Sequence, residues 1–519
     1  MSDIRDFSGK NRKFTGTDSI VLPKGTEAQR VNTEGGQIRF NTDTNLAEYY
    51  NGTSWKPIDS PPTITTVSPT APVDDGATST TITVNGSNFQ SGAVVKLIGA
   101  NGTPYTVSSY TLVSANQITF SYTSALAAAG TNGPYDLTVA NPSGLTATLE
   151  DGFTPNTAPA FQSPAADSSL GTIQIGANGS TLTQISVTDT TGGTLVYSIS
   201  AGALPGGVSI NSSTGALSGT TNATGTFTFT IQATDGTTAV TRQFTATVFD
   251  PYISATGGST YQTGGYKYHK FTSSGTFAVS NAGQSPNNQC DYLICAGGAA
   301  GGHRHAGGGG AGGLLYANTT VTAQNYTVTV GAGGAKFTNT DQTGRVGRDG
   351  NNSSALGITA TGGGGGGDNG PAGRSGGSGG GAGESYSNAG SGISGQGNPG
   401  GTTNAQYGGG AGGGGKGATG ANNSGGQGGA GGQYTTFAQA TSSGSGNYYA
   451  GGGGGGGYQT GGRRAAGGSG GGGTGGGDGA SGTDAAGNTG SGGGGGGQTN
   501  GPIAGSGGSG IVIIRYPVS

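Results

Sequence analysis

The chain has 519 residues, of which 120 are glycine, although glycine makes up only about 7% of ordinary proteins. Charged residues account for 9% of the chain and the formal net charge is −3. These values exclude the basic surface on which nucleic-acid binding depends, so we expect no nucleic-acid partner.

The N-terminal sequence MSDIRDFSGKNRKFTG is polar, and the chain contains no run of about 18 consecutive apolar residues. We therefore expect neither a secretory signal peptide nor membrane insertion. The two cysteines, Cys290 and Cys295, lie five positions apart in CDYLIC. On a strand they would face opposite sides, so the sequence predicts two buried free thiols in a protein made in a reducing compartment.

The alternation of short apolar runs with turn residues predicts an all-β fold. We divide the chain into an N-terminal β-meander (1–60), two tandem Ig-like β-sandwiches (61–155 and 156–250) and a glycine-rich domain (251–519). The glycine-rich domain is subdivided into a β-rich segment (251–335), a polyglycine bundle with apical loops (336–510) and a closing strand (511–519).

Residues 34–58, EGGQIRFNTDTNLAEYYNGTSWKPI, alternate in bursts separated by the turn-rich TDTN and NGTS. They are too poor in apolar residues to build their own core, so we expect this meander to need a partner surface or further copies of the chain. The phrases GQIRFNTDTN and EYYNGTSW resemble a module near the N-termini of bacteriophage fibre and virion proteins. The resemblance implies that residues 1–60 attach the protein to other virion proteins.

Residues 61–155 contain β-branched runs at regular spacing, such as TITVNGSNF, VVKLIG and YDLTVANPSG, which are typical of a β-sandwich. They resemble an IPT/TIG-type Ig-like domain. Residues 156–250, with LPGGVSINSSTGALSGT and GTFTFTIQATDG, resemble the Ig domains of the cadherin-like group. Asp189, Asp235 and Asp250 are isolated in this sequence, so we interpret them as turn residues rather than as calcium ligands, which must gather six to eight oxygens.

The glycine runs between residues 336 and 510 pose a physical problem, because ordering glycine costs more backbone entropy than ordering any other residue. Several runs side by side can form polyproline II helices, which have three residues per turn and turn every N–H and C=O outward. Only glycine lets neighbouring rods approach closely enough to pair these groups. Ser375 and Ser378 would then share one solvent-facing ridge. The alternative is a flexible Gly/Ser linker.

The final sequence IVIIRYPVS has no polar alternation, as expected of a strand buried on both faces. We expect it to pair with strands predicted in YKYHKFTSSGTFAVS, CDYLICAGG and NYTVTVGAGG. Together with GGSGIVIIRY, these phrases resemble the glycine-rich domain of phage tail-fibre proteins. The alternation of rods and loops is similar to the tip adhesin of T-even-type long tail fibres, whose polyglycine sandwich presents variable loops to the host surface. Unlike that adhesin, this chain also carries two sandwiches and an N-terminal module.

Large aromatic and basic side chains interrupt the glycine runs, and tyrosine gives rigid contact area at low entropy cost. We predict them to be receptor-binding candidates, with packing of the loop bases as the alternative role. The candidates are Tyr386, Tyr407, Tyr434, Phe437, Tyr448, Tyr449, Tyr458, Arg463 and Arg464.

Catalytic chemistry finds little support in the sequence. GAGGGGKG at 410–417 has glycine where a P-loop needs Ser or Thr, and the sparse acidic residues after position 296 form no close pair of the kind used in glycoside hydrolysis. We expect no catalytic residues and no cofactor. His303 and His305 in GGHRHAGG are weak metal-ligand candidates, which could bind one ion if three chains met in a trimer; the alternative is a solvated surface pair.

The leading hypothesis is a phage virion fibre or tail-fibre protein, made in the host cytoplasm and released by lysis. Its N-terminal module would bind other virion proteins, and its C-terminal loops would bind a host surface protein or polysaccharide. The alternatives are a structural or decorating fibre on the capsid, neck or baseplate, and a bacterial surface adhesin. A homotrimer and a monomer both remain open.

Overall fold

The computed structural model describes residues 21–31, 34–74, 76–123, 133–165, 168–338, 345–385, 388–404, 408–423, 425–458, 464–498 and 503–519. The chain divides into two compact units, residues 1–248 and 249–519. Almost all regular structure is β, and the α-helix among the described residues is α1 (Thr435–Thr441). The predicted all-β fold is confirmed. No helix in the described part of the chain is both long and apolar enough to cross a membrane.

The N-terminal module is one sheet with its polar face buried. Its strands, in spatial order, are β1 (Lys24–Gly25), β2 (Ile38–Asn41), β3 (Leu46–Tyr50) and β4 (Trp55–Ile58), with a 3-10 turn at Glu27–Gln29 between β1 and β2. Glu48 is 2% exposed and lies 2.6 Å from Arg30 Nη2 and 3.3 Å from Arg39 Nε. Ile38 and Ile58 on the opposite face remain 48% and 47% exposed. Buried ion pairs therefore hold together a sheet whose apolar face is uncovered.

The first sandwich packs two four-stranded sheets, β10-β11-β7-β5 and β13-β12-β8-β9. Its strands are β5 (Thr63–Ser68), β6 (Val73–Asp74), β7 (Thr80–Ser87), β8 (Val94–Ile98), β9 (Pro104–Thr106), β10 (Tyr110–Ser114), β11 (Gln117–Tyr122), β12 (Tyr135–Ala140) and β13 (Thr146–Phe153). Alternate residues face inward along each inner strand, as in Ile82 and Val84 of β7 and Leu137 and Val139 of β12. This alternation produced the sandwich prediction.

The second sandwich is built on a four-stranded sheet, β16-β22-β21-β18, with two-stranded sheets beside it. Its strands are β14 (Asn156–Thr157), which pairs with β6, then β15 (Ala160–Ser163), β16 (Ser169–Gln174), β17 (Ser186–Thr188), β18 (Val196–Gly202), β19 (Val208–Ile210), β20 (Leu217–Gly219), β21 (Gly225–Thr234) and β22 (Ala239–Phe249), with a 3-10 turn at Gly179–Thr181. Phe229, Ile231 and Phe244 lie in its core.

Asp189 and Asp235 both organise turns, as predicted, but they are not isolated. Asp189 accepts hydrogen bonds from the backbone N–H groups of Thr191 and Gly193, and Asp235 accepts them from Thr237 and Thr238. A Cβ atom on Gly193 would lie 2.6 Å from Asp235 Cβ and 2.8 Å from Asp189 Oδ2. The fold therefore brings the turn at Asp235 against Gly193, which belongs to the turn that Asp189 organises.

The C-terminal unit begins with two sheets, β23-β26-β29 and β24-β25-β34-β27-β28. The strands of this unit are β23 (Ile253–Thr256), β24 (Ser259–Thr263), β25 (Tyr266–Phe271), β26 (Gly275–Ala282), β27 (Gln289–Cys295), β28 (Leu314–Thr320), β29 (Asn325–Val328), β30 (Ser353–Ala355), β31 (Ile358–Ala360), β32 (Gly432–Gln433), β33 (Tyr448–Tyr449) and β34 (Ile511–Pro517). The closing strand β34 pairs with β25 on one side and β27 on the other, which confirms the predicted return of the chain.

The two cysteines lie on opposite faces of β27, as the five-residue spacing predicted. Cys290 packs in the cluster around Phe277 and Tyr516, and Cys295 packs in the cluster around Phe437 and Tyr449. Both are buried free thiols. Burial raises the pKa of each thiol to about 12, so both remain protonated at neutral pH.

The segment 306–313 shows how the polyglycine rods pack. Its N–H groups donate in three directions that repeat every third residue, at N–O distances of 2.8 to 3.0 Å: Gly307 and Gly310 to Gly367 and Gly364, Gly308 and Ala311 to Ala411 and Gly414, Gly309 and Gly312 to Gly493 and Gly490. Its carbonyl groups accept from three further segments, 296–302, 378–381 and 453–456. A three-residue repeat with all bonds directed outward defines the predicted polyglycine helix. The segment lies within 251–335, which we predicted to be β-rich, so the polyglycine helices begin earlier in the chain than predicted. Its partners at 364–367, 411–414 and 490–493 lie in the predicted bundle and pair in the same regular way, so the linker alternative is wrong for them.

The pairing leaves no room for side chains between rods. A Cβ atom on Gly308 would lie 2.0 Å from the carbonyl oxygen of Gly453. The prediction that Ser375 and Ser378 share one solvent-facing ridge is wrong, because Ser375 is exposed whereas Ser378 is fully buried. The chain reverses between them: Arg374 and Gly377 donate to Gly365 and Gly362 in antiparallel order, whereas Ser378 and Gly381 accept from Gly364 and Gly367 in parallel order.

Gly453→Ala tests this packing. Its N–H donates to Gly309 at 2.9 Å, and the new methyl group would lie 2.0 Å from the carbonyl oxygen of Gly493. We expect the C-terminal unit to lose at least about 3 kcal/mol of unfolding free energy, because the obstructing atoms are backbone and cannot rotate away. Calorimetry of the full chain measures the loss. Gly487→Ala is the matched control, since its Cβ meets nothing nearer than Ser509 Oγ at 3.9 Å; equal losses in both variants would contradict the prediction.

His269 predicts a dependence of stability on pH. It is fully buried, with Nδ1 2.7 Å from the carbonyl oxygen of Gly257 and Nε2 3.1 Å from Tyr516 Oη. Burial lowers its pKa below the ordinary value of 6.5. As pH falls below about 6.5, the unfolded chain takes up a proton that the folded chain refuses, so stability falls by up to about 1.4 kcal/mol per pH unit.

We expect His269→Gln to flatten this loss between pH 7.5 and 5.5 in the calorimetric transition of the C-terminal unit. His305, whose pKa is also lowered, maintains a residual slope. The single tryptophan, Trp55, lies in the N-terminal unit, so its fluorescence is an internal control that should be unchanged. An unaltered slope in the calorimetric transition would refute the assignment to His269.

Candidate functional site

The polyglycine bundle has two chemically different ends. At the strand end, rods continue directly into β27, β28 and β34 at Cys295, Leu314 and Ile511. At the loop end, the chain turns at His303–His305 between the rods 296–302 and 306–313. The residues Asp368, Glu384, Tyr458 and Gln498 meet this turn through hydrogen bonds or ring contacts. The loop end is therefore where several connections between rods converge.

His303 and His305 are buried at this turn, each 3% exposed, so the alternative of a solvated surface pair is wrong. His305 Nδ1 lies 3.0 Å from Glu384 Oε2, and its ring packs 5.2 Å from that of Tyr458. Burial lowers the pKa of His305 and raises that of Glu384, so both groups favour their uncharged forms. Among the described residues, no three His, Cys, Asp or Glu side chains gather as a metal site.

Asp368 ties two basic loops together. It is fully buried, and its carboxylate accepts the backbone N–H of Arg304 at 2.8 Å and that of Arg345. The side chain of Arg304 donates from Nε to the carbonyl oxygen of Gln498 at 3.2 Å. The carboxylate therefore fixes backbone positions and leaves both guanidinium groups near the surface.

Phe337 is the centre of an arginine cluster on the same side of the bundle. The guanidinium carbon of Arg345 lies 5.1 Å from the Phe337 ring centroid, and that of Arg348 lies 4.7 Å away. Both distances are within the range of cation–π attraction. Nearby cations are arranged differently: Arg374 pairs with Asp349 at 3.3 Å and Lys336 with Asp484 at 3.0 Å.

The structure divides the nine predicted receptor-binding residues. Tyr458 and Arg464 lie at the loop end, with Tyr458 half-buried and Arg464 exposed. Four others, Tyr434, Phe437, Tyr448 and Tyr449, lie at the strand end. Tyr386, Tyr407 and Arg463 lie outside the described residues.

The prediction of a contact surface does not fit Phe437 and Tyr449, because both are buried, at 3% and 0% exposure. The Phe437 ring, on α1, packs edge-on against Tyr268 at 6.0 Å and under the Arg515 guanidinium at 4.9 Å. Tyr449 Oη bonds Ser443 Oγ at 2.6 Å, and burial raises the pKa of Tyr449 to about 12. Their role is the alternative one, packing of loop bases. The sequence shows that these residues lie between glycine runs, but it does not show at which end of the bundle they lie.

Several residues of the loop end were missed by sequence reasoning, namely Phe337, Arg304, Arg345, Arg348, Asp368 and Glu384. The prediction relied on the tyrosines near the glycine runs. The missed residues lie far apart in the sequence, and only the packing of the rods brings them together. One signal was available: RVGRDG at 345–350 places two arginines three residues apart, the spacing that returns to one ridge of a three-fold helix.

Three family models match parts of the chain. An IPT/TIG domain matches residues 62–155, the family described as "Putative Ig domain" matches residues 163–249, and a glycine-rich domain matches residues 272–517. The chain thus contains two Ig-like domains followed by a glycine-rich domain, which confirms the domain types inferred from the sequence. Ig-like sandwiches of this kind are common in cell-surface proteins. No curated protein matches the chain.

Solved structures similar to the chain include titin I-band domains I67–I69, at 13% identity and a TM-score of 0.25, covering 45% of this chain and 79% of that one. The extracellular domain of protocadherin GammaB4 is 15% identical with a TM-score of 0.21, covering 48% and 46% of the two chains. Drosophila N-cadherin EC1-3 is 15% identical with a TM-score of 0.16, covering 37% and 68%. These scores are too low to support an argument about function.

Adjacent tyrosines of β33 provide a test of the strand-end packing. We expect Tyr449→Ala to lower the unfolding free energy of the C-terminal unit by about 3 to 5 kcal/mol, because a fully buried aromatic side chain is lost. Tyr448→Ala removes a half-buried ring and should cost about 1 kcal/mol or less. Calorimetric unfolding measures both. Similar losses for the two variants would show that Tyr449 has no special packing role.

Proposed function

We propose that the protein is a bacteriophage virion fibre or tail-fibre protein that binds a receptor on the host surface through the loop end of its polyglycine bundle. The observation that carries this proposal is the arrangement of the rods. Their backbone hydrogen bonds build a rigid scaffold without side chains, and the loops between rods gather aromatic and basic residues at one end. Binding residues are commonly found on loops held by a rigid scaffold.

Four acidic side chains of the C-terminal unit have partners within the protein, which agrees with a binding role without catalysis. Asp368 is used by backbone N–H groups, Glu384 lies against His305, Asp349 pairs with Arg374 and Asp484 pairs with Lys336. A glycosidase would need two carboxyl groups facing a shared groove. Each of these four carboxyl groups instead has a structural partner. We therefore infer no enzymatic activity and no cofactor.

The exposed apolar face of the N-terminal module supports its proposed role in attachment to other virion proteins. Its sheet exposes Ile38, Tyr49 and Ile58 on one face, and an uncovered apolar face of this kind commonly marks a site of protein association. Along the chain, the two Ig-like sandwiches lie between the attachment module and the glycine-rich domain. The protein would be made in the host cytoplasm and released with the virion at lysis.

A structural or decorating fibre is the second candidate. The same exposed apolar face favours it, because a docking module fits a capsid, neck or baseplate as well as a tail fibre. Labelling the glycine-rich domain and imaging intact virions distinguishes the two. Label at the distal end of a tail fibre supports the receptor-binding role, whereas label on the head or neck supports the structural fibre.

Binding of purified full-length protein to host cells tests the proposed role of the loop end. We expect the double variant Tyr458→Ala/Arg464→Ala to bind at least tenfold more weakly, because two contact side chains leave the loop end. Tyr448→Ala, at the strand end, is the matched control and should bind like the unaltered protein. Flow cytometry of labelled protein measures both, after calorimetry has shown that each variant is folded. Unchanged binding of the double variant would contradict the assignment of the surface.

A further inference from the structure

The arginine cluster at Phe337 has features of a ligand site that the scaffold does not need. Arg345 and Arg348 both lie against one phenyl ring, at 5.1 and 4.7 Å from its centroid. Their guanidinium groups are therefore at most about 10 Å apart, which is close to the Debye length in physiological salt of about 8 Å. Two like charges held at this distance repel each other, and an anion binding beside them would relieve that repulsion.

Two neighbouring cations, Arg374 and Lys336, show how a carboxylate can neutralise a positive charge in this region. Arg374 lies 3.3 Å from a carboxylate oxygen of Asp349, and Lys336 lies 3.0 Å from one of Asp484. Among the described residues, neither Arg345 nor Arg348 has an ion pair with a carboxylate. These two positive charges are thus left without the neutralisation that Lys336 and Arg374 receive.

Two acidic side chains described near the cluster are engaged by other partners: Asp349 by Arg374, and Asp368 by backbone N–H groups. Asp368 lies in this region, and each of its two carboxylate oxygens accepts a backbone N–H group, from Arg304 and from Arg345. Arg304 adds a third guanidinium group on the same loop end. Arg304 and Arg345 thus share one buried carboxylate, and the exposed Arg348 adds a further positive charge beside the ring that Arg345 contacts.

We propose that Arg345 and Arg348, stacked on Phe337, bind the phosphate or carboxylate groups of an anionic surface polysaccharide. This inference rests on the proposed receptor-binding function and specifies its ligand class. Guanidinium groups suit both anions because their planar donors match two oxygens at once. Stacking on a ring restricts their side chains before binding, which reduces the entropy that binding would otherwise cost.

The test uses the full-length protein and three immobilised polysaccharides: polygalacturonate as the carboxylate probe, phosphomannan as the phosphate probe and dextran as the neutral probe. Biolayer interferometry measures affinity at two salt concentrations. We expect binding to at least one anionic probe, no binding to dextran and weaker binding at higher salt. The probe that binds identifies which anion the site recognises.

The variant Arg345→Gln/Arg348→Gln should weaken this binding at least tenfold. The control Lys336→Gln/Arg374→Gln removes the same two charges from paired cations of the same unit, so it should retain most of the affinity. Equal losses in both double variants would show a nonspecific charge effect and overturn the proposal. Binding to dextran, or to no anionic probe at all, would overturn it as well. The proposed function fails separately, if the unaltered protein does not bind host cells.

Discussion

The hydrogen bond between neighbouring glycine rods is the interaction on which the C-terminal unit depends. A polyglycine helix has no internal bonds, so each N–H must reach a carbonyl oxygen of another rod. Gly309 donates to Gly493, and its carbonyl accepts from Gly453, both at 2.9 Å. A Cβ atom on Gly309 would lie 2.2 Å from the Ala299 carbonyl oxygen. Glycine is therefore required at such positions, and the composition of the chain follows from this spacing.

The interior of such a scaffold has almost no side chains that could pack against each other. The large apolar side chains of the C-terminal unit pack instead at the strand end. At the strand end, β34 lies between β25 and β27, and the chain leaves the rods to form α1 and β33, whose Phe437 and Tyr449 pack over Leu293 and Ile513. This cluster gives the unit a conventional hydrophobic core. At the loop end, polar groups such as Asp368 and Glu384 hold the loops through hydrogen bonds and short polar contacts.

Periodicity and composition were sufficient to predict the all-β fold, the types of domain, the pairing of the closing strand and the polyglycine helices, because each depends on local spacing or on an obligatory backbone group. They could not predict which loops share an end of the bundle. The turn at His303–His305 meets Asp368, Glu384 and Tyr458, which come from three other stretches of the sequence. The order in which rods neighbour one another decides this, and nearly identical glycine runs carry no information about it.

The scaffold is held by the rods, whereas the side chains available for binding lie on the loops. This division explains how such a protein could change its ligand without losing its fold. The rods bind each other chiefly through backbone hydrogen bonds, with a few side-chain acceptors such as Ser491 Oγ, which accepts the Gly451 N–H at 3.1 Å. A substitution at an exposed loop residue leaves these bonds intact. The exceptions are the loop residues whose side chains reach back into the scaffold, such as Asp368, which bonds two backbone N–H groups, and His305, which lies against Glu384. Arg348 and Arg464, being exposed, have no such constraint. Variation in specificity should therefore concentrate at exposed residues of this kind, while the buried polar groups beneath them hold the loops in place.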